Sequence, residues 1–234
     1  GWGFRVFPVD RKERAATHGA SYTYQQFKGV AFVKGEDDAH EVDANDVKQG
    51  GLGDCYFMAG IAAVARTDPH RIRSMIETNA DGTFSVYLWK HNYQWEEEVM
   101  ATVIVVDDQF PTTFGTSPAY GKFGDSGTQD GAPVRELWPM ILEKAYAKHK
   151  KGFKTIEGGW ASTAMSFFSG EDSVKDHRPA ELSEDRLRAI LGSAAKNGHP
   201  VTFGVPKRAP ELGLVGNHYY FFAGVDEKGN AKLL

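Results

Sequence analysis

Gln49-Gly50-Gly51-Leu52-Gly53-Asp54-Cys55-Tyr56-Phe57-Met58-Ala59-Gly60-Ile61-Ala62-Ala63-Val64-Ala65 is the stretch on which the fold turns. Its first six residues are turn-forming. Cys55 then opens a run with small and large apolar residues on every face, ending at Ala65. A helix that is apolar all round belongs in the middle of a protein, and a run of about 11 residues rich in alanine favours helix over strand. A cysteine in the first turn of such a helix meets the positive end of the macrodipole and unpaired backbone N–H groups, both of which stabilise a thiolate. The glycines before it let the chain turn sharply and leave the sulfur reachable. Gln49 supplies a side-chain amide that, with the Cys55 N–H, can donate to an oxyanion.

The composition narrows the classes of function. The chain has 234 residues, 41% hydrophobic and 25% charged, enough for a sizeable core in one domain or two small ones. A net charge of −4 gives no footprint for nucleic acid. Lys148, Lys150 and Lys151 form the densest basic cluster and read as the solvated end of a helix. No apolar run approaches the length of a membrane span, and the first residues do not read as a secretory leader. Cys55 is the one cysteine, so an internal disulfide and a thiolate zinc cluster are excluded. A structural thiol or a reactive one remains.

Working outward, residues 1–45 mix aromatics and charges (Trp2, Phe4, Phe7, Tyr22, Tyr24, Phe27) and read as an irregular lead-in with one short helix. Phe84–Trp89 and Glu98–Val106 carry β-branched and aromatic residues and are expected to pair as strands. Asp107 and Asp108 end the second strand in a turn, and Glu96, Glu97 and Glu98 read as a solvated strand end. Residues 111–133, with five glycines and three prolines, read as a long loop. Leu137, Trp138, Ile141, Leu142, Ala145 and Tyr146 recur at helical spacing within 135–150. Gly158-Gly159 precedes a second apolar stretch that closes at Gly170. Ser183 is placed to cap a helix over 183–195. Residues 201–205 and 219–225 read as strands, with a hairpin turn over 226–230. Charge rises after Gly170, which marks the internal boundary. Of the eight histidines, His149 and His177 lie in charged stretches and read as solvated, and His199 as a loop residue. His218 enters a strand after Gly216-Asn217, where position alone allows either a buried structural role or a catalytic one.

Residues 49–57 closely resemble the active-site signature of the calpain family of papain-like cysteine proteases. Further blocks follow in the same order: Val105-Val106-Asp107-Asp108-Gln109-Phe110-Pro111-Thr112, then Glu136-Leu137-Trp138 through Lys148, then Gly158-Gly159 and Ser169-Gly170, then Gly216-Asn217-His218-Tyr219-Tyr220. The resemblance spans about residues 46–225. Tyr56 stands where the family commonly has Trp.

The resemblance implies an α+β, papain-like fold. A lead-in (1–45) would pack on a helical lobe (46–170) carrying Cys55, followed by a partial β-rich lobe (171–234) carrying His218. It implies Cys55 as nucleophile, His218 as general base and acid, and Gln49 as oxyanion donor. The substrate would be a polypeptide, cut at a limited number of sites or within the chain itself, in the cytoplasm or after delivery into another cell's. Ca²⁺ is implied through Asp46 and Glu136, whose hard oxygens suit it; the chemistry itself needs no cofactor. The family's third catalytic residue is an Asn in an Asn-Pro-Trp segment. No Asn-Pro pair occurs here, and only 16 residues follow His218. A further C-terminal segment or a second chain is therefore expected to complete the second lobe. Two other readings keep the same fold: a Cys–His acyltransferase or deamidase, and a non-catalytic calpain-like interaction module.

Overall fold

The computed structural model describes residues 5–7, 16–17, 20–36, 38–92, 97–113, 117–169, 174–206 and 210–234. Trp2, Phe4, Glu96 and the expected boundary at Gly170 lie outside the described residues. In chain order the elements are β1 (Arg5–Phe7), β2 (Ala16–Thr17), β3 (Ala20–Ser21), β4 (Thr23–Gln26), α1 (Cys55–Thr67), α2 (Pro69–Met75), β5 (Ile76–Thr78), β6 (Phe84–Asn92), β7 (Glu97–Val106), β8 (Gln109–Thr113), β9 (Ser117–Pro118), β10 (Ser126–Gln129), β11 (Ala132–Arg135), α3 (Trp138–His149), α4 (Ala161–Ser169), α5 (Glu184–Asn197), β12 (Thr202–Val205), β13 (His218–Val225) and β14 (Ala231–Leu233). Helices and sheets are mixed without alternating, which is an α+β arrangement. No helix among the described residues is long and apolar enough to cross a membrane.

The central helix forms where the sequence places it. Every residue of α1 from Tyr56 to Ala65 is buried, because a different element covers each face. The Phe57 ring stacks on Tyr146 of α3 at 4.4 Å and 11°, and Ala164 and Phe168 of α4 pack over Gly60. Full burial of side chains such as Phe57 and Ile61 contributes about 1.5–3 kcal/mol each. Helix α3 begins at Trp138, later than expected. Pro139 sits in its first turn, where its missing N–H costs nothing, while Glu136 is spent on a bridge to Val30.

Strands β6 and β7 pair antiparallel, as expected, and extend into a four-stranded sheet ordered β1-β7-β6-β5, with β1 parallel to β7. Asp107 and Asp108 do end β7 in a turn: the Asp107 carboxylate accepts from the Gln109 N–H at 3.0 Å and pairs with Lys144, and Asp108 accepts from the Gln26 side chain at 2.8 Å. The second lobe is the antiparallel sheet β12-β13-β14, preceded by α5. The Ser183 hydroxyl caps α5 by accepting from the Arg186 N–H at 3.2 Å, and Gly198 ends it with φ 65°.

Three expectations need correction. Residues 111–133 are not a long loop. Thr23–Gln26 pairs with Gln109–Thr112, and Thr112–Thr113 with Ser117–Pro118. β10 and β11 form a second hairpin closed at Asp130-Gly131, both at positive φ (51° and 80°). Asp-Gly is a strong hairpin signal, outweighed in the sequence by the density of Gly and Pro around it. The lead-in is likewise not irregular: its described residues hold four short strands and a single 3-10 turn, Ala44–Asp46. Third, His149 is not a freely solvated side chain; its ring lies 5.7 Å from that of Phe167.

Candidate active site

The loop before α1 is held from two sides. The Gly51 N–H donates to the Ala119 carbonyl at 2.8 Å, and the Lys122 N–H to the Lys48 carbonyl at 2.9 Å. Gly50 lies so close to the Tyr120 peptide that an added Cβ would come within 2.5 Å of its carbonyl carbon. From the other side, the Gly158 N–H donates to the Gly53 carbonyl at 2.8 Å. The Gln49 side-chain amide donates to the Leu52 carbonyl at 2.7 Å, which fixes the side chain and leaves one amide hydrogen over. Cys55 is half-buried, the first residue of α1. The Phe57 and Met58 N–H groups both donate to the Asp54 carbonyl (2.8 and 3.1 Å). The N–H groups of Cys55 and Tyr56 are the orphan donors that any helix start carries.

Strand β13 lies along α1, held at one end to α1 and at the other to the start of α4. At the far end of the helix, the Arg66 guanidinium donates to the Ala223 carbonyl at 2.8 Å. At the near end, the Tyr219 hydroxyl, hydrogen-bonded to the Ala161 backbone, lies within electrostatic reach of Cys55, and burial raises its pKa. From Cys55 to Arg66 the helix rises about 16 Å; from His218 to Ala223 the strand advances about 16 Å. Cys55 and His218 therefore stand at the same end of the two elements. His218 is half-buried, paired in register with Val205 and set edge-on to the Tyr220 ring at 5.1 Å. No hydrogen bond joins it to Cys55, as is common in cysteine sites without substrate. His199 lies in the connection after α5 and His177 is exposed, as the sequence suggests.

Asp46 and Glu136 also come together. Asp46 is buried; its carboxylate accepts from the Asp43 N–H (2.7 Å), the Trp138 indole (3.2 Å) and the Asp125 N–H (3.4 Å). Glu136 is fully buried, with one oxygen accepting from the Val33 N–H at 3.0 Å and the other, Oε2, without a partner. Burial, then the neighbouring Asp46 charge, pushes Glu136 up to about 9, and burial raises Asp46 as well. Asp38 and Asp125 complete the group: oxygens of Asp38, Asp46 and Asp125 lie within 4.8 Å of one another. Lys48 pairs with Asp125 at 2.7 Å. No signal in the sequence marks Asp38 or Asp125, which no spacing links to Asp46.

A second acidic pair lies behind the cysteine. Asp54 has no exposed surface and neither carboxylate oxygen has a partner. Its neighbour Glu143, on α3, is also buried and accepts the Gly121 N–H with both oxygens (3.0 and 2.9 Å). Burial pushes Asp54 up to about 7 and Glu143 well above the usual carboxylate range, the Asp54 charge adding to the latter.

Known proteins share this arrangement of sequence. The chain is 30% identical over 202 residues to the calpain-type cysteine protease DEK1 of Zea mays, covering 82% of this chain and 9% of the relative. It is 33% identical over 190 residues to calpain clp-4 of Caenorhabditis elegans (77% of this chain, 24% of the relative) and 27% identical over 194 residues to human calpain-9 (78% and 26%). The chain thus spans between 9% and 26% of the length of these relatives. The profile of the calpain family cysteine proteases matches residues 32–233, from before the acidic cluster, through Cys55 and His218, into the last strand. With nearly all of its length inside that match, the chain belongs to the calpain family of cysteine proteases.

Proposed function

We propose that this chain is the catalytic core of a cysteine endopeptidase that cleaves polypeptides at a limited number of sites, with Cys55 as nucleophile, His218 as base and acid, and Gln49 as oxyanion donor. The observation that supports this reading is that β13, which begins at His218, packs along α1, which begins at Cys55, with the Arg66 guanidinium bonded to the Ala223 carbonyl at their far ends. His218 takes the thiol proton of Cys55, and the thiolate attacks the scissile carbonyl. The Cys55 N–H and the remaining Gln49 amide hydrogen donate to the oxyanion as charge develops on it. The tetrahedral intermediate collapses as His218 returns the proton to the leaving amine, giving a thioester. His218 then deprotonates a water, which attacks the thioester; the carboxylic product leaves and Cys55 regains its proton. The substrate lies extended across the cleft between the lobes, and a segment of the same polypeptide is a candidate for that position. An asparagine outside these residues would orient His218.

Asp46 and Glu136, with Asp38 and Asp125, fit a calcium ion: they offer hard carboxylate oxygens, and one of them, Glu136 Oε2, is buried with no partner. Bound there, calcium supplies positive charge that holds the 34–46 segment, the 122–125 segment and the start of the long helix against one another. The protein's own residues perform every step at Cys55.

The test is to incubate the chain, with and without calcium, with an unfolded protein and read the products by mass spectrometry. New peptide termini that vanish in Cys55→Ala and His218→Ala are expected. A one-dalton change at Gln or Asn without new termini would replace proteolysis by deamidation. Failure of a peptide electrophile to label Cys55 would favour an interaction module.

A further inference from the structure

Asp54 precedes α1 and yet does not cap it. The Asp43 carboxylate accepts from the Asn45 N–H at 2.8 Å, the Asp68 carboxylate from the Arg71 N–H at 3.1 Å and the Ser183 hydroxyl from the Arg186 N–H at 3.2 Å. The Asp54 side chain makes no such bond to α1. It turns inward to Glu143, and its two oxygens are left buried without a partner. Two ionised carboxylates cannot satisfy each other, since neither carries a donor; one proton between them supplies the missing hydrogen bond.

We propose that Asp54 and Glu143 share a single proton, and that this pair is a positioning device: it draws the Asp54 carboxylate away from the start of α1, so that the N–H groups beside Cys55 stay free and their field stays positive. This rests on the protease reading only for its use in catalysis; the pair itself does not. An aspartate capping its own helix would place a full negative charge on the turn that must stabilise the Cys55 thiolate and the oxyanion. Glu143 is suited to hold it off because the Gly121 N–H anchors its carboxylate from behind. That anchor also ties α3 to the 119–122 segment that flanks the Gln49 loop. The groups facing the pair are the Cys55 thiol, the Tyr56 and Tyr146 hydroxyls and the Lys122 ammonium. Tyr56 donates to the Ile156 carbonyl at 3.1 Å, and burial raises both tyrosines. Neither tyrosine therefore ionises in the working range, and Lys122 is the one cation of the group.

The direction with pH follows. Asp54 is raised from 3.8 to about 7 and Glu143 well above the usual carboxylate range, so the folded pair carries two protons on the acid side and gives up the first as pH rises through about 7. The single shared proton is therefore the state above about 7, where one negative charge first appears on the pair, and the stability held by the fully protonated pair is lost through the same window.

The lone cysteine makes the test direct, because any thiol label reports on Cys55 alone. The rate of alkylation by neutral iodoacetamide is measured at roughly pH 6 and pH 8 in His218→Ala, which removes histidine titration, and in that background carrying Glu143→Gln or Asp54→Asn. At the higher pH Asp54→Asn should react about three- to tenfold faster, up to the effect of one pKa unit, because the remaining Glu143 keeps its proton and no charge stands behind Cys55, whereas Glu143→Gln keeps the Asp54 charge and should not gain. At the lower pH, where the pair is uncharged, Asp54→Asn should match its parent. Equal rates in all three proteins, or a change of the same size at both pH values, would overturn the proposal; the latter is what a merely structural role predicts. Infrared spectra of the unsubstituted chain provide a reading without substitution: a protonated buried carboxyl signal that weakens between pH 6 and pH 8 but persists at pH 8 supports the shared proton, and its absence at pH 8 refutes it. Should the alkylation pattern hold while no peptide is cut, the protease reading fails and this one stands.

Discussion

Gly50→Ala isolates the contact on which the Gln49 loop depends. Nothing in the Gly50 backbone forbids alanine, since its φ is not positive; the obstacle is the Tyr120 peptide, whose carbonyl oxygen would lie nearest the new Cβ, with its carbonyl carbon at 2.5 Å and the Ala119 oxygen at 2.9 Å. Ordinary contact begins near 3.4 Å, so the two segments must part by more than about 1 Å. The obstructing atoms are backbone and cannot rotate aside. The Gly51–Ala119 and Lys122–Lys48 hydrogen bonds, at 2.8 and 2.9 Å, would then exceed bonding distance. Losing both costs about 2–4 kcal/mol, counting about 1 kcal/mol for each bond and more where a buried partner is left unsatisfied. For a chain of this size that lowers Tm by about 5–15 °C. Displacing the neighbouring Gln49 by about 1 Å should lower kcat by up to about 10²-fold with little change in KM. Thermal unfolding and peptide hydrolysis read the two effects. Gly51→Ala is the control: its nearest contact, the Ala119 oxygen at 3.2 Å, is tight but yields to a shift of a few tenths of an ångström. If Gly50→Ala keeps its stability within about 1 kcal/mol, or loses no more than Gly51→Ala, the reasoning is wrong.

Two further outcomes follow from the same geometry. Calcium at about 100 times its dissociation constant should stabilise the chain by about 2.7 kcal/mol, which is about 5–10 °C in Tm, and Glu136→Gln should abolish that response; a calcium shift of equal size in Glu136→Gln would remove the acidic cluster as the site. Arg66→Met keeps the aliphatic stem but removes the donor to the Ala223 carbonyl. It should cost about 1–2 kcal/mol in denaturant unfolding, and a neutral result would show that the two lobes do not depend on this bond.

What the sequence revealed and what it hid divide by distance along the chain. Helix α1 was legible because its apolar residues are contiguous, and β6, β7, α3 and β13 because each carries its period within a few residues. The Asp130-Gly131 hairpin was local too, but Gly and Pro nearby looked like a loop. The acidic cluster was only half legible. Asp46 and Glu136 came through family resemblance, whereas Asp38 and Asp125 arrive from separate segments. Nothing about Asp54 in the sequence distinguishes it from an ordinary helix cap. Its inward turn depends on Glu143, 89 residues away, and on the Gly121 N–H that anchors that glutamate. Such pairings are fixed by packing of α3 against α1, which no periodicity encodes.

The two contacts that hold β13 to the helical lobe are unequal. The far one is a charge-assisted bond from Arg66 of α1, whereas the near one joins the neutral Tyr219 phenol to the Ala161 backbone at the start of α4, and charge-assisted bonds are roughly twice as strong. Thermal motion therefore parts the lobes first at the cleft mouth, with the Arg66 end as the pivot. On an arm of about 16 Å, each degree of rotation carries His218 about 0.3 Å from Cys55. A swing of about ten degrees shifts His218 by about 3 Å relative to Cys55, so the protein can be folded throughout and yet competent for only part of the time.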